Sequence, residues 1–406
     1  MKISLHEANV SFSKFFFVAL FWGYILYNFA ILFGMPSFLG GYFGLATALG
    51  VVVFSLLTKP TIVNSFKASL FFSVLSLGAL LCVIVVTATS YLSSNLSAAR
   101  MQSLTLIVAW IALYCTGFYL VFSEKEKIRK LSIFLIYLFF GYAIYYVITN
   151  NAFMLPFVKG GEVDDENLAS YQGIARNLLI IGILVIAYTT KRITNLILAV
   201  VLGFILFLVG ARSEFYAFIL LLLSYHFLSA YKVKSSFIVI VLFAVVSAGL
   251  FINYYEKIAD SRQLNITSVS KDESWQLRQQ MQDFSIQIIK DHPVFGQFGG
   301  HGYYGSASGN NIGAYSHNAL SGYTNYGLLF FILFIAMCYL SFIYSTLKFI
   351  KNPKDEDWAF AFLLTFLIAF CITFSKSVYW SPIYFAWGIF IGTIYKDKFI
   401  KYNPRL

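Results

Sequence analysis

One histidine and three arginines stand where chemistry could be done. His317 is followed at once by Asn318 and closes a glycine-rich stretch a few residues before the chain re-enters an apolar run. An imidazole with its ordinary pKa near 6.5 can take up a proton at neutral pH, and the adjoining apolar run anchors its backbone. Arg212 lies in "FLVGARSEFYAF", between two apolar runs with only a tight turn to host it. A charge costs about 2.5–3.5 kcal/mol at the middle of a bilayer and less near its edge, so an arginine kept there needs an anion. Glu214 is the internal candidate, but residues two apart on a helix do not face each other, so that pairing would have to run through the turn. The other reading is a ligand: guanidinium presents a planar fork of donors that matches phosphate oxygens. Arg278 and Arg176 are further candidates of the same kind, and each taken singly also fits an ordinary interfacial arginine.

The remaining histidines carry less. His6 is near the start, His226 lies inside an apolar run and reads as a packed core residue, and His292 and His301 share the long loop with His317. The loop histidines are separated by nine and sixteen residues and no HExxH occurs, so no zinc pair is indicated. Anion binding plus proton transfer, with no metal and no other cofactor, is the chemistry these residue types offer together.

The elements that must position them are membrane helices. Of 406 residues 59% are hydrophobic and 12% charged, with a mean hydropathy of +0.75; soluble domains carry about 25% charge. Apolar runs of about 20 residues, the length that crosses a bilayer, recur at about 14–34, 41–57, 68–89, 102–122, 131–149, 177–190, 194–210, 214–230, 236–252, 327–347, 359–376 and 379–395. The expected fold is all-α: a polytopic membrane protein of about 12 transmembrane helices. Further spans follow the first, which has no small-residue cleavage site, so it does not read as a signal peptide. The net charge of +11 is a topology signal, because with the N-terminus inside most basic residues fall in the short cytoplasmic segments. Both termini are then cytoplasmic, and nucleic acid is not a partner. All four cysteines (Cys82, Cys115, Cys338, Cys371) fall in predicted spans, as core residues rather than a disulfide framework.

Three regions follow: 1–252 with spans 1–9, a large outer loop at 253–326, and 327–406 with spans 10–12 and a tail. A shorter outer loop, about 150–176, carries the acidic run "GEVDDEN", which reads as solvated and has no calcium-loop spacing. In the large loop "WQLRQQMQDFSIQIIK" places Leu277, Met281, Phe284 and Ile288 at helical spacing. That stripe suits a helix lying on the spans or the lipid surface, with Arg278 beside the stripe rather than within it. "DHPVFG" ends the helix, since Pro293 cannot continue it. Glycine then stands at Gly296, Gly299, Gly300, Gly302, Gly305, Gly309 and Gly313. No strand precedes these glycines, so they are no dinucleotide fingerprint; they fit a flexible loop or a close backbone approach to phosphate or sugar.

"GARSEFYAF", "WQLRQQMQDFSIQIIKDHPVFGQFGGHG" and "SHNALSGYTNYGLLFF", in this order and on one face, resemble the O-antigen polymerase and O-antigen ligase superfamily over about 170–345. The resemblance implies an integral membrane glycosyltransferase of the bacterial inner membrane, its site facing the periplasm, acting on undecaprenyl-diphosphate-linked oligosaccharides. It implies that Arg212 and Arg278 hold the diphosphate and that His317 is the base. Asn318 and Glu214 are supporting residues. "YQGIAR", ending in Arg176, is similar to the corresponding loop of the polymerase branch, as is the short "SEF" after Arg212; Arg176 would then serve a second anion. Membrane lipid and a chain-length regulator protein are the other partners such a polymerase implies. A ligase that uses lipid A-core as acceptor is the first rival. A transporter without catalysis is the second, and it calls for ionisable residues deep in the spans, where this sequence has almost none.

Overall fold

The computed structural model describes residues 5–33, 35, 50, 57–92, 96–152, 154–156, 171–230, 273–305, 311 and 313–402, and among them every regular element is a helix. A chain this apolar satisfies its backbone polar groups within each segment, which in lipid leaves helices or closed barrels. The helices are α1 (Leu5–Phe17), a π-helical turn (Val18–Gly23) and α2 (Tyr24–Leu32), a helix through 57–68 that we call α3, α4 (Leu70–Thr89), α5 (Ser97–Leu120), α6 (Lys125–Asn150), α7 (Tyr171–Ala187), α8 (Arg192–Val209), α9 (Arg212–Ala230), α10 (Glu273–Asp291), α11 (Leu320–Lys351), α12 (Glu356–Phe374) and α13 (Pro382–Tyr402).

Seven helices among the described residues are long and apolar enough to cross a membrane, the first running through α1, the π-turn and α2. Tyr171–Ala187 and Ile193–Val209 are apolar but shorter. The chain is an all-α, multi-pass membrane protein. Of the spans expected from the sequence, 236–252 and nearly all of 41–57 lie outside the described residues, as does the acidic run at 162–166.

α7 is the centre of the bundle: from Ile174 to Val185 every residue but Arg176 is buried. α8, α9 and α12 pack around it, with α2 and the π-turn on another side. The closest seam lies between α5 and α13. Gly388 and Gly392 of α13 face α5, and Gly117 of α5 faces α13. A Cβ on Gly388 would sit 2.1 Å from the Tyr114 carbonyl oxygen, and one on Gly392 would sit 2.5 Å from that of Phe118. Small residues four apart let two backbones touch, which in lipid is a main source of helix association. Trp110 of α5 stacks on Tyr384 of α13 at 4.1 Å in the same seam.

α11 is broken near its start by Gly327, at φ 83° and ψ −178°. The break leaves a short helix from 320 to 326 that lies apart from the long span. The turn after α10 fills the gap: Leu328 N donates to Val294 O (2.9 Å), Gln297 N to Thr324 O (2.7 Å) and Tyr323 Oη to Pro293 O (2.6 Å). Gly296, at φ 65°, has the Tyr323 and Thr324 carbonyls where a Cβ would be. The expected stop at "DHPVFG" is therefore also a plug that pins the loop helix to the start of the next span.

At the end of the bundle away from His317, Asp357 gathers Lys396 (2.5 Å), Lys125 (3.3 Å) and the Tyr188 hydroxyl (2.6 Å). One carboxylate thus ties the ends of α6, α7, α12 and α13 together.

Candidate functional site

The turn between α8 and α9 is as tight as the sequence suggested. Gly210 closes α8 in the left-handed conformation, its N–H bonded to Phe207 O, and α9 begins two residues later at Arg212. Arg212 therefore stands at a helix N-terminus, where unpaired N–H groups and the helix dipole already favour an anion. Glu214, in the same first turn, is 1% exposed.

Glu214 has a partner that the sequence did not suggest, Lys376. Lys376 Nζ lies 2.6 Å from Glu214 Oε1, with both side chains nearly buried. Glu214 thus has a contact with a residue far along the chain, in addition to sharing the first turn of α9 with Arg212. The backbone around Lys376 is fixed independently of that pair. Ser375 N and Lys376 N both bond Cys371 O at 2.8 Å, folding the chain back on the last turn of α12. Val378 N bonds Ser321 Oγ at 3.0 Å, and Ala319 N bonds Ile372 O at 2.9 Å. These last two bonds dock the start of α11 on the loop that carries Lys376.

They also explain the His-Asn pair. Asn318 Oδ1 accepts from Leu320 N (3.0 Å) and from Ser316 Oγ (2.6 Å), closing a local side-chain turn at the head of α11. Its amide donates to Gln282 of α10 at 3.3 Å. Asn318 thus holds the residue before it between the loop helix and the bundle. His317 beside it has its ring 5.8 Å from that of Tyr315, which in turn meets Tyr379 at 5.0 Å. Burial, then the charges of Arg278 and Lys376, push the His317 imidazole down from 6.5 to about 4. It is neutral at physiological pH and able to accept a proton.

α10 presents Arg278 toward this region. The packed side of α10 is Met281, Ser285 and Ile288, with Phe284 and Arg278 partly covered, while Leu277 is 44% exposed. Three members of the expected stripe, Met281, Phe284 and Ile288, stay on the covered side, but at its N-terminal end Arg278 is partly covered and Leu277 is exposed. The physical reason is that the surface facing α10 is the polar site around His317, which an arginine suits better than a leucine.

Arg176 is a second cation on which Glu214 acts. Its guanidinium is 5.8 Å from the centre of the Tyr24 ring. With Asn177 it lines a cleft whose other walls are largely apolar, among them Phe16, Phe21, Leu113 and Pro382. Asn177 Nδ2 is buried there without a hydrogen-bond partner.

His301 has a different place from His317. It is 2% exposed, with Nδ1 3.0 Å from Asn325 Oδ1 and Nε2 3.2 Å from Gln102 Oε1. Asn325 Oδ1 also accepts from Gly299 N (3.1 Å), so it must be the oxygen and His301 Nδ1 must carry the proton. Burial pushes this ring down to about 4 despite the Asn325 bond. His301 is a neutral ring whose Nδ1–H donates to Asn325, so its Nε2 is an acceptor and the Gln102 amide must turn its NH2 toward it for the ring to brace the glycine loop against α5.

A family model described as O-antigen ligase matches residues 178–327. This match supports a place in the O-antigen ligase and polymerase superfamily and does not separate its two branches. The family match takes in Arg212, Glu214, Arg278, His317 and Asn318 and stops short of both Arg176 and Lys376. No curated protein matches the chain in sequence. The superfamily consists of membrane glycosyltransferase-like enzymes. Cations flanking a neutral imidazole at a helix end are what transfer from a diphosphate requires: fixed positive charge for the leaving group and a proton acceptor for the incoming hydroxyl.

Of the residues singled out on sequence, His317, Arg278, Asn318 and Glu214 are linked through bonds and charge contacts by way of Lys376. Arg212 shares the first turn of α9 with Glu214, and the Glu214 carboxylate also acts on Arg176. Sequence reasoning missed Lys376. The only hint was its type, a lysine at the end of an otherwise apolar run.

Proposed function

We propose that this protein is an O-antigen-type polysaccharide polymerase of the bacterial inner membrane, with both termini in the cytoplasm and its site facing the periplasm. It transfers a growing glycan from undecaprenyl diphosphate to a lipid-linked repeat unit. The observation that carries this reading is His317, neutral and partly buried, under the charge of both Arg278 and Lys376 and held by Asn318 at the head of α11.

The acceptor hydroxyl attacks the anomeric carbon of the donor sugar, forming the new glycosidic C–O bond. The bond from that carbon to the diphosphate breaks, and its electron pair leaves with the diphosphate. The hydroxyl proton passes to a ring nitrogen of His317. Arg212 and Arg278 hold the departing diphosphate as its negative charge grows, and Arg176 serves the anion of the second lipid-linked substrate. Direct displacement inverts the anomeric centre. A positioned base contributes about 10²–10⁴-fold, so His317→Ala should lose at least that much activity with the protein still folded.

A ligase using lipid A-core as acceptor has the family model's description in its favour. Purified protein given only an undecaprenyl-diphosphate-linked repeat separates the two. A ladder of lengthened products supports the polymerase. No ladder until lipid A-core is added, and then a glycosylated core, assigns the ligase. Retained anomeric configuration in either product would overturn the direct-displacement mechanism.

A further inference from the structure

We propose that Lys376 is a third cation of the diphosphate site, held at rest by Glu214 and transferred to the substrate's phosphate oxygens when they arrive. The inference rests on the polymerase-or-ligase reading above, because it adds a ligand to the same diphosphate.

Lys376 and Glu214 meet at 2.6 Å in a nearly buried contact, where two charges are stable only while each has a counter-charge. The loop that carries Lys376 does not depend on that contact, since Ser375 N, Lys376 N and Val378 N are all bonded elsewhere. Its ammonium, a compact charge on a flexible four-carbon stem, can therefore change partner without moving the backbone. Glu214 is not orphaned by the exchange, because the Arg176 guanidinium lies within electrostatic range on α7. Lys376 also acts on His317 together with Arg278, so its reach includes the space beside the proposed base. Tyr315 and Tyr379 are the other titratable side chains facing that space, and both are partly buried aromatic neighbours. A diphosphate between Arg278 and Lys376 would answer both cations at once.

This makes Glu214 a competitor of the ligand rather than a support for it, a statement with a sign that experiment can read. The full-length protein in nanodiscs is titrated with farnesyl diphosphate, a short polyprenyl diphosphate. Lys376→Met should weaken binding by about tenfold or more, the loss expected for one charge-assisted contact. Glu214→Gln should tighten it several-fold, and should do so only while Lys376 is present, giving a strongly non-additive cycle. The double variant Glu214→Gln/Lys376→Met leaves neither member of the pair as an unpaired charge, and its folding is checked by its melting temperature. It should bind as weakly as Lys376→Met alone. If Glu214→Gln weakens binding as Lys376→Met does, or if the double variant binds like the natural protein, the pair is merely structural and the inference falls. If the natural protein does not bind farnesyl diphosphate and Arg278→Met changes nothing, the underlying functional reading falls instead.

Discussion

The basicity of His317 offers the sharpest test of how this site works. The free protein holds the imidazole at about 4 instead of 6.5, with burial the largest cause and the Arg278 and Lys376 charges next. The difference corresponds to about 3 kcal/mol at 1.36 kcal/mol per pKa unit, an order-of-magnitude figure for a partly buried group. The sign is that of a depressed base. His317 is neutral and competent throughout the physiological range, and the charged form is disfavoured until the pH approaches 4. A diphosphate brings negative charge to the same two cations, so in the complex the two like-charge contributions are offset while burial remains. The proton-bound form becomes easier to reach when substrate is present, which is when a base must accept a proton. Initial rates of repeat-unit consumption between pH 4 and 8 separate the two states, since kcat/KM reports the free enzyme and kcat the complex. The acid limb of kcat/KM should fall near pH 4, and that of kcat should lie higher by one unit or more. The substrate's own ionisation cancels in a comparison of the natural protein with Arg278→Lys on the same substrate. That variant keeps the charge and so should leave the kcat/KM limb in place, whereas Arg278→Met should move it upward. A kcat/KM limb near 6.5, or limbs that coincide in both parameters, would refute the electrostatic account of the base. The same shift bears on stability: His317 is about 6.5 in the unfolded chain and about 4 in the folded one. Its contribution is therefore neutral above 6.5 and increasingly destabilising as the pH falls from 6.5 to 4.

Three further outcomes follow from the fold. Asn318→Ala removes the side chain that caps the head of α11 and reaches Gln282. A loss of about 0.5–2 kcal/mol should appear as a modest fall in melting temperature, with a larger fall in kcat than in substrate affinity. Gly388→Leu places a side chain where the Tyr114 carbonyl stands 2.1 Å from the position of a Cβ. Backbone cannot give way there as a side chain can, so a cost above about 1–3 kcal/mol and poor yield of folded protein are expected, and normal thermal stability would contradict the seam. Asp357→Asn strips Lys125 and Lys396 of their shared carboxylate. About 3 kcal/mol of destabilisation is expected, near the lower end for a broken buried pair because water still reaches it. Asp357→Asn should lower the melting temperature while leaving the affinity for farnesyl diphosphate unchanged.

Why some of this could be read from the chain and some could not comes down to the range of each interaction. Span-length apolar runs, the stop at Pro293 and the tight turn before Arg212 are local, and each is set by residues within a turn or two of one another. The role of Asn318 is local as well, since its oxygen bonds Leu320 two residues on. Arg278 was expected beside the apolar stripe and is instead partly covered within it. Hydropathy chose Leu277 for the inner face, and the polar character of the surface opposite decided for Arg278. The α5–α13 seam had its signal in the glycines four apart at Gly388 and Gly392, but a pair of glycines does not name the helix it packs on. Lys376 is the limiting case. Its partner Glu214 is far away in the chain, and an isolated lysine at the end of an apolar run looks like any interfacial anchor.

The charge pattern at the site also fits what the proposed reaction asks of it. Arg212, Arg278 and Lys376 stand at the end of the bundle with one buried carboxylate, Glu214, and an imidazole that stays neutral. Such a gathering of fixed positive charge favours an incoming diphosphate. As the bond to the sugar breaks, the diphosphate gains negative charge and the imidazole becomes positive beside it. Both changes are more favourable in the presence of the fixed cations and the growing anion than either would be alone. The interactions therefore strengthen toward the transition state rather than merely holding the substrate, which is the condition for raising kcat as well as affinity. On this account neutralising Arg278 should lower kcat more than it raises KM, because a cation placed for the departing charge matters most when that charge has formed. A change confined to KM would mean that Arg278 holds the ground state only, and the leaving-group role would pass to Arg212 and the α9 N-terminus.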